Sequence, residues 1–261
     1  MITAFFVFVI GACVGSFCSA LLHRTRYGGS MVTGRSECVA CKQRLGPTDL
    51  VPIVSWHVRR GRCRYCRAPV SWQYLALELV FGGLFLAAYL RSCCYGPACY
   101  DLGCWWAVGR LFIFLTLLAL IFVYDARHGE IPDAYSITAI VAGLLINILI
   151  TPSAWWWYLL AAAVGAAFFG AQYAVSRGKW VGDGDILVGA ALGAMLGWPD
   201  VLTAIFGAYI IGLGVVIVLM LARKKDLNDT IPLGPLLTLA AALLLLLPAG
   251  FIPNIWYALS F

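Results

Sequence analysis

Long uncharged stretches constrain this chain more than any other feature. Ile2 to Leu22 contains no charged residue. Seven further apolar runs follow, at Tyr74 to Leu90, Trp105 to Tyr124, Asp133 to Ile150, Ala154 to Val175, Asp185 to Leu196, Val201 to Leu221, and Leu233 to about Trp256. Most are near the roughly 20 residues that a helix needs to cross a ~30 Å hydrocarbon layer. Hydrocarbon offers no hydrogen-bond partner, so backbone polar groups there must be satisfied within the segment, which makes the runs helices. Composition agrees: the 261 residues are 62% hydrophobic and 11% charged, where a soluble domain would carry about a quarter charged residues. The expected fold is an all-α polytopic membrane protein of about eight transmembrane helices. The run at Asp185 is short for a full span. The first run has no basic n-region, and no small-residue cleavage site precedes the polar segment, so it reads as a retained helix.

Charge sets the expected orientation. Of the 18 Lys and Arg, ten lie between Arg24 and Arg67. Arg127, Arg177, Lys179, Arg223, Lys224 and Lys225 fall on the same side if the runs alternate, and only Arg91 and Arg110 fall on or near the other. The basic side is then cytoplasmic, with both termini outside. The net charge of +6 is therefore a topology signal, with anionic lipid as a compatible partner, and is not read as nucleic-acid binding.

The polar insert between the first two runs, residues 24–73, carries Cys38 and Cys41 in one C-x-x-C and Cys63 and Cys66 in another, with 21 intervening residues. Paired knuckles at such spacing are a tetrahedral zinc signature. Four thiolates close the coordination shell and leave no open position, so the metal is structural. The alternative is a redox dithiol pair or free thiols. His23 and His57 read as ordinary polar residues. Cys13 and Cys18 read as small packing residues in the first helix. Cys93, Cys94, Cys99 and Cys104 crowd a loop expected outside, where an oxidising compartment permits disulfides whose pairing the sequence leaves open. The expected division is a first helix at 1–23, a cytoplasmic zinc insert at 24–73 and a helical membrane domain at 74–261.

Asp125 ends the third run in "FVYDARHGEIPDAYS", and Asp183 and Asp185 open the sixth in "WVGDGDILVG". Ionisable groups at a membrane border are functional candidates by default. Two carboxylates brought close cannot both ionise cheaply, and such a pair can activate a water against a carbonyl. Gly182 and Gly184 allow close backbone approach. Capping or a loop charge is the plainer reading of the same aspartates. Asp133 reads as an N-cap, Glu130 as a solvated loop charge, and Glu78 as a packing or positioning residue in need of a partner such as an arginine.

Several segments resemble the type IV prepilin leader peptidases, membrane aspartic peptidases with a GxGD motif. They are "GSFCSALLHR", the double C-x-x-C insert with "VPIVSW", "GRCRYC" and "APVSWQYLALEL", then "DARHGEIPD", "GDGD" and "IPLGPLLTL". The resemblance implies that Asp125 and Asp185 are catalytic, that Asp183 holds the variable motif position, and that prepilin-like or pseudopilin substrates are cut at the cytoplasmic border of a bacterial inner membrane. It also implies N-methylation of the new N-terminus from S-adenosylmethionine, with the zinc insert holding the leader or, with neighbouring loops, the methyl donor. One departure is Leu187, where the family usually has lysine. The competing readings are a proton- or cation-coupled transporter using the same aspartates, and a non-catalytic membrane-anchored zinc interaction module.

Overall fold

The computed structural model describes residues 2–28, 36–94, 102–222 and 232–247, and among them each apolar run is a helix. These are α1 (Ile2–Tyr27), α3 (Trp72–Tyr89), α4 (Leu102–His128), α5 (Asp133–Ile150), α6 (Trp155–Ser176), α7 (Asp183–Leu196), α8 (Asp200–Leu221) and α9 (Gly234–Leu246), with a short α2 (Val54–Val58) inside the insert. No strand occurs among the described residues. Among the described residues six helices are long and apolar enough to cross a membrane: α1, α3, α4, α5, α6 and α8. The two remaining apolar runs are the shorter helices α7 and α9. At 14 residues α7 is too short for a full span, and α9 has 13 described residues. The remainder of the eighth run, to Trp256, lies outside the described residues.

The chain forms two compact units, residues 1–108 and 109–261. In the first, α1 packs along α3. A Cβ added at Gly11 would lie 2.6 Å from the Phe81 carbonyl oxygen, and one at Gly15 would lie 2.8 Å from that of Leu77. Close helix approach through small residues is the usual solution where lipid removes the hydrophobic drive for association. A disulfide joins Cys93, just past α3, to Cys104 in the first turn of α4, selecting one of the pairings left open. Cys99 and the Cys94 side chain lie outside what is described.

The second unit is organised around α7, which touches α5, α6, α8 and α9. Glycine and alanine make this possible. An added Cβ at Gly193 would fall on the backbone carbonyl of Ala161 in α6, and one at Gly165 on that of Gly189. α4 contributes a stripe of large buried side chains at Leu111, Phe114, Leu115, Leu118 and Ile121. These recur at helical spacing, and continuing the stripe by four residues reaches Asp125. Gly129, with φ +65°, ends α4 as a left-handed residue, and its N–H bonds the Asp125 carbonyl at 2.8 Å.

The α6–α7 contact yields a prediction. Gly193→Leu must push backbone against backbone, so thermal unfolding of the detergent-solubilised protein should show a loss at or beyond the ~1–3 kcal/mol typical of overpacking. Gly170→Ala, on the same α6 but with no neighbour within 4 Å, should leave stability unchanged or raise it by up to about 1 kcal/mol.

Candidate active site and metal centre

The GDGD segment starts α7 with Gly182 in extended conformation as its N-cap. Asp185 is the third helical residue, and its Oδ2 accepts from the Gly182 N–H at 3.1 Å. This bond, the half of a capping box that a glycine N-cap allows, satisfies a backbone donor at the helix start and holds the carboxylate in one orientation. Val188, Gly189 and Leu192 continue its face into the core. The neighbouring Asp183 points away: it is exposed, and its Oδ1 takes the N–H of Gly184 at 2.9 Å. Two carboxylates two residues apart therefore have opposite surroundings, because a helix turns about 200° in that interval.

Asp125 is 4% exposed and Asp185 8% exposed. They are near enough for their charges to act on one another. Asp125 sits in the last turn of α4, where the helix dipole opposes negative charge. The first backbone N–H of α9, that of Gly234, donates to its carboxylate, bringing the positive end of another helix to it. A Cβ on Gly234 would overlap Asp125 Oδ2 and lie 3.0 Å from Ile131 Cδ1. Ile131 also lies beneath Gly184, 3.1 Å from the place of an added Cβ there. One isoleucine thus separates and spaces the backbones that carry the two aspartates and the Gly234 donor. Gly234 lies in "IPLGPLLTL", and its role was not legible from spacing. The only signal was a glycine beside Pro235 at the start of an apolar run.

The other singled-out residues are placed as follows. Asp133 is the first residue of α5, and Pro132 holds the N-cap position in its place. Asp133 remains where the helix dipole favours an acidic side chain. Glu130 is exposed. Glu78 is buried in α3, and its Oε2 accepts from the Ile53 N–H at 2.7 Å. Ile53 needs such a hold: it sits at φ 64°, ψ −52° in a tight turn closed by Val54 N–H to Pro52 O at 2.6 Å. Strained backbone of this kind persists only where its surroundings impose it. Glu78 therefore ties the insert to a membrane helix within the first unit.

The two C-x-x-C segments of the insert fold alike. Cys38 N–H bonds Gln43 O at 2.9 Å and Cys63 N–H bonds Ala68 O at 2.9 Å, and each second cysteine is followed by a left-handed residue, Lys42 or Arg67. The four sulfurs of Cys38, Cys41, Cys63 and Cys66 lie within 4.8 Å of one another, with Cys38 Sγ 3.9 Å from Cys66 Sγ. A tetrahedron of ~2.3 Å zinc–sulfur bonds has edges of roughly 3.8 Å, so the site fits this ion. The N–H of Cys41, helped by that of Ala40, holds the Cys38 thiol down to about 7. Against the N–H of Ala68, desolvation and the sulfurs of Cys41, Cys63 and Cys38 push Cys66 up to about 11. Four crowded thiols cannot ionise together without a cation. His57 is not among them; its Nδ1 lies 2.9 Å from Ile53 O. Besides the sulfurs, the insert is held by a buried Asp49 carboxylate paired with Arg59 and by Trp56 packed on Gly61. Among the described residues of the insert, Cys63 is the one buried hydrophobic side chain.

Comparison with known proteins decides the family. Residues 9–92 match the model of the bacterial peptidase A24 N-terminal domain, and residues 112–219 match that of the type IV leader peptidase family. The chain belongs to the type IV leader peptidase family. It is a multi-pass membrane peptidase by that membership. Relatives named prepilin leader peptidase/N-methyltransferase include one from Bacillus subtilis strain 168, 31% identical over 79% of this chain and 79% of its own length. One from Klebsiella pneumoniae is 32% identical over 74% of this chain and 85% of its own. One from Myxococcus xanthus is 31% identical over 85% of this chain, which spans 64% of that relative's length. No solved structure matches.

Two predictions follow from these sites. Metal analysis of the purified peptidase should give one zinc per chain, and Cys63→Ser should lower both zinc content and yield, because binding and folding of the insert are one process. Gly234→Ala should leave zinc unchanged but lower cleavage of a prepilin-like peptide by roughly tenfold to a hundredfold, since the methyl group displaces Asp125.

Proposed function

We propose that this peptidase removes the leader from type IV prepilin-like or pseudopilin proteins at the cytoplasmic border of a bacterial inner membrane, with Asp125 and Asp185 as the catalytic pair. The observation that carries the reading is the burial of these two carboxylates beside each other at one end of the second unit, while Asp183 stays outside. Gly182 and Gly234 N–H groups orient one carboxylate each.

The chemistry follows from a shared proton. One carboxylate takes a proton from a water held between the pair, and the water oxygen attacks the scissile carbonyl. The other carboxylate gives its proton to the carbonyl oxygen. Collapse of the tetrahedral intermediate breaks the C–N bond, and the departing amine takes a proton from the pair. Gly182, exposed and with only the Asp185 carboxylate near the place of an added Cβ, leaves room for an extended substrate backbone beside Asp185, whereas Gly184 packs on Ile131. Tyr124 and Tyr135, edge to face at 5.9 Å, flank the α4 end of the site.

The second activity proposed is methylation of the freed N-terminus, supported by the relatives' shared name. S-adenosylmethionine would supply the methyl group, and no residue is assigned to it. The zinc insert takes a structural role on the cytoplasmic side. The Cys93–Cys104 disulfide past the far end of α3 supports this orientation, since disulfides persist in oxidising compartments.

Asparagine keeps the shape of aspartate but cannot pass a proton. Cleavage of a prepilin substrate should fall by at least roughly 10²–10⁴-fold in Asp125→Asn and in Asp185→Asn, and stay within about threefold of wild type in Asp183→Asn. Leader removal at normal rate in either of the first two would refute the pair.

A further inference from the structure

A polar cluster in the second unit, at the end of α7 opposite the aspartates, is used by nothing described so far. α7 has 14 residues, about 21 Å of helix, and stops short of the hydrocarbon thickness. Its last carbonyls have no partner within the helix. Left bare in an apolar bundle, each would be costly. Asn147 of α5 meets them: its Nδ2 donates to Ala194 O at 2.9 Å and to Met195 O at 3.1 Å. Asn147 is fully buried. Arg110 Nη1 in turn donates to Asn147 Oδ1 at 3.3 Å, which fixes the way round that the amide stands and puts positive charge near the negative end of α7. One turn earlier on α5, Gly143 lies against the Ala194 backbone, an added Cβ there meeting Ala194 C at 2.9 Å. The two helices are therefore in backbone contact where Asn147 acts.

We propose that Asn147, backed by Arg110, is a positioning residue that sets the depth and rotation of α7 and so the place of Asp185. This rests on the reading of Asp185 as catalytic. Asp185 is ten residues from Met195, about 15 Å along a rigid helix. The rest of the α7 surface is mostly small or apolar: close glycine approaches at Gly165, Gly189 and Gly193 set its fit against α6, and Asn147 gives its polar register against α5. A slip of one residue would carry Asp185 ~1.5 Å along the axis and turn it by ~100°, away from Asp125. The bonds to two successive carbonyls are satisfied in one register only.

The test is steady-state cleavage of a prepilin-like peptide by the purified full-length protein. It compares wild type, Asn147→Leu, Arg110→Met, the double variant and Asp185→Asn, each checked for zinc content and thermal unfolding. The proposal expects kcat to fall at least tenfold in Asn147→Leu and two- to fivefold in Arg110→Met, with KM unchanged. The double variant should be no slower than Asn147→Leu, because Arg110 acts through Asn147. Unchanged kcat in both single variants, a loss confined to KM, or losses that multiply in the double variant would overturn it. If Asn147→Leu is not recovered folded, Arg110→Met alone decides by the same split between kcat and KM. An Asp185→Asn protein that still cleaves would bring down the catalytic reading and this proposal with it. A dead Asp185→Asn beside unaffected Asn147 and Arg110 variants would overturn the positioning role alone.

Discussion

Burying two carboxylates side by side in an apolar helical bundle is the demand from which the rest of the second unit follows. Each carboxylate must be met by polar groups, and hydrocarbon supplies none. The answers come from helix ends. α7 begins at Asp183 and offers the N–H of its N-cap Gly182 to Asp185, and α9 begins at Gly234 and offers its own to Asp125. Both helices must therefore start inside the bundle. A helix as short as α7 also leaves carbonyls without an intrahelical partner at its far end, and the Asn147 amide covers two of them, those of Ala194 and Met195. Glycines at 143, 165, 189 and 193 let this short helix be surrounded on all sides without bulky side chains. The small-residue packing, the broken helices and the buried asparagine are thus consequences of one requirement.

The first unit solves a different problem. Its insert has almost no apolar core, so its shape depends on sulfur ligation, one buried ion pair and the Glu78 bond to the strained Ile53. The two knuckles share the same hydrogen-bond pattern and the same left-handed residue after the second cysteine. A small chain segment with so few buried groups gains most from a metal that ties two distant turns together. That Glu78 reaches down from a membrane helix to the insert backbone shows that α3 does more than span.

Much of this was legible in the residues alone. Uncharged runs give helices wherever they are long, and α5 begins and ends where the sequence places it, at Asp133 and Ile150. The C-x-x-C pairs give the sulfur cluster because ligand spacing is local. The inward position of Asp125 follows from the stripe at Leu111, Leu118 and Ile121. What was hidden depends on groups with no side-chain signature. Gly234 acts through its N–H and its missing Cβ, and Asn147 acts on carbonyls 47 and 48 residues away. Glu78 reads as needing a partner, and the backbone N–H of Ile53 in a strained turn, a group without a side-chain signature, meets it. Asp133 was displaced from the cap by Pro132, whose fixed φ already gives the chain its entry into α5. The shortness of α7 was legible too: the run at Asp185 reads as short for a full span, and the helix has 14 residues.

The central claim is that Asp125 and Asp185 together hold the attacking water. The most direct measurement is the affinity of a prepilin-like peptide whose scissile bond is replaced by a non-hydrolysable hydroxyl-bearing isostere, compared across single asparagine variants. Such an isostere places its hydroxyl where the water and the developing alkoxide would be, and binding to it reports transition-state complementarity. The account predicts a large and similar loss of affinity in Asp125→Asn and Asp185→Asn, with little change in Asp183→Asn. Equal affinity in all three, or a loss in Asp183→Asn alone, would contradict it.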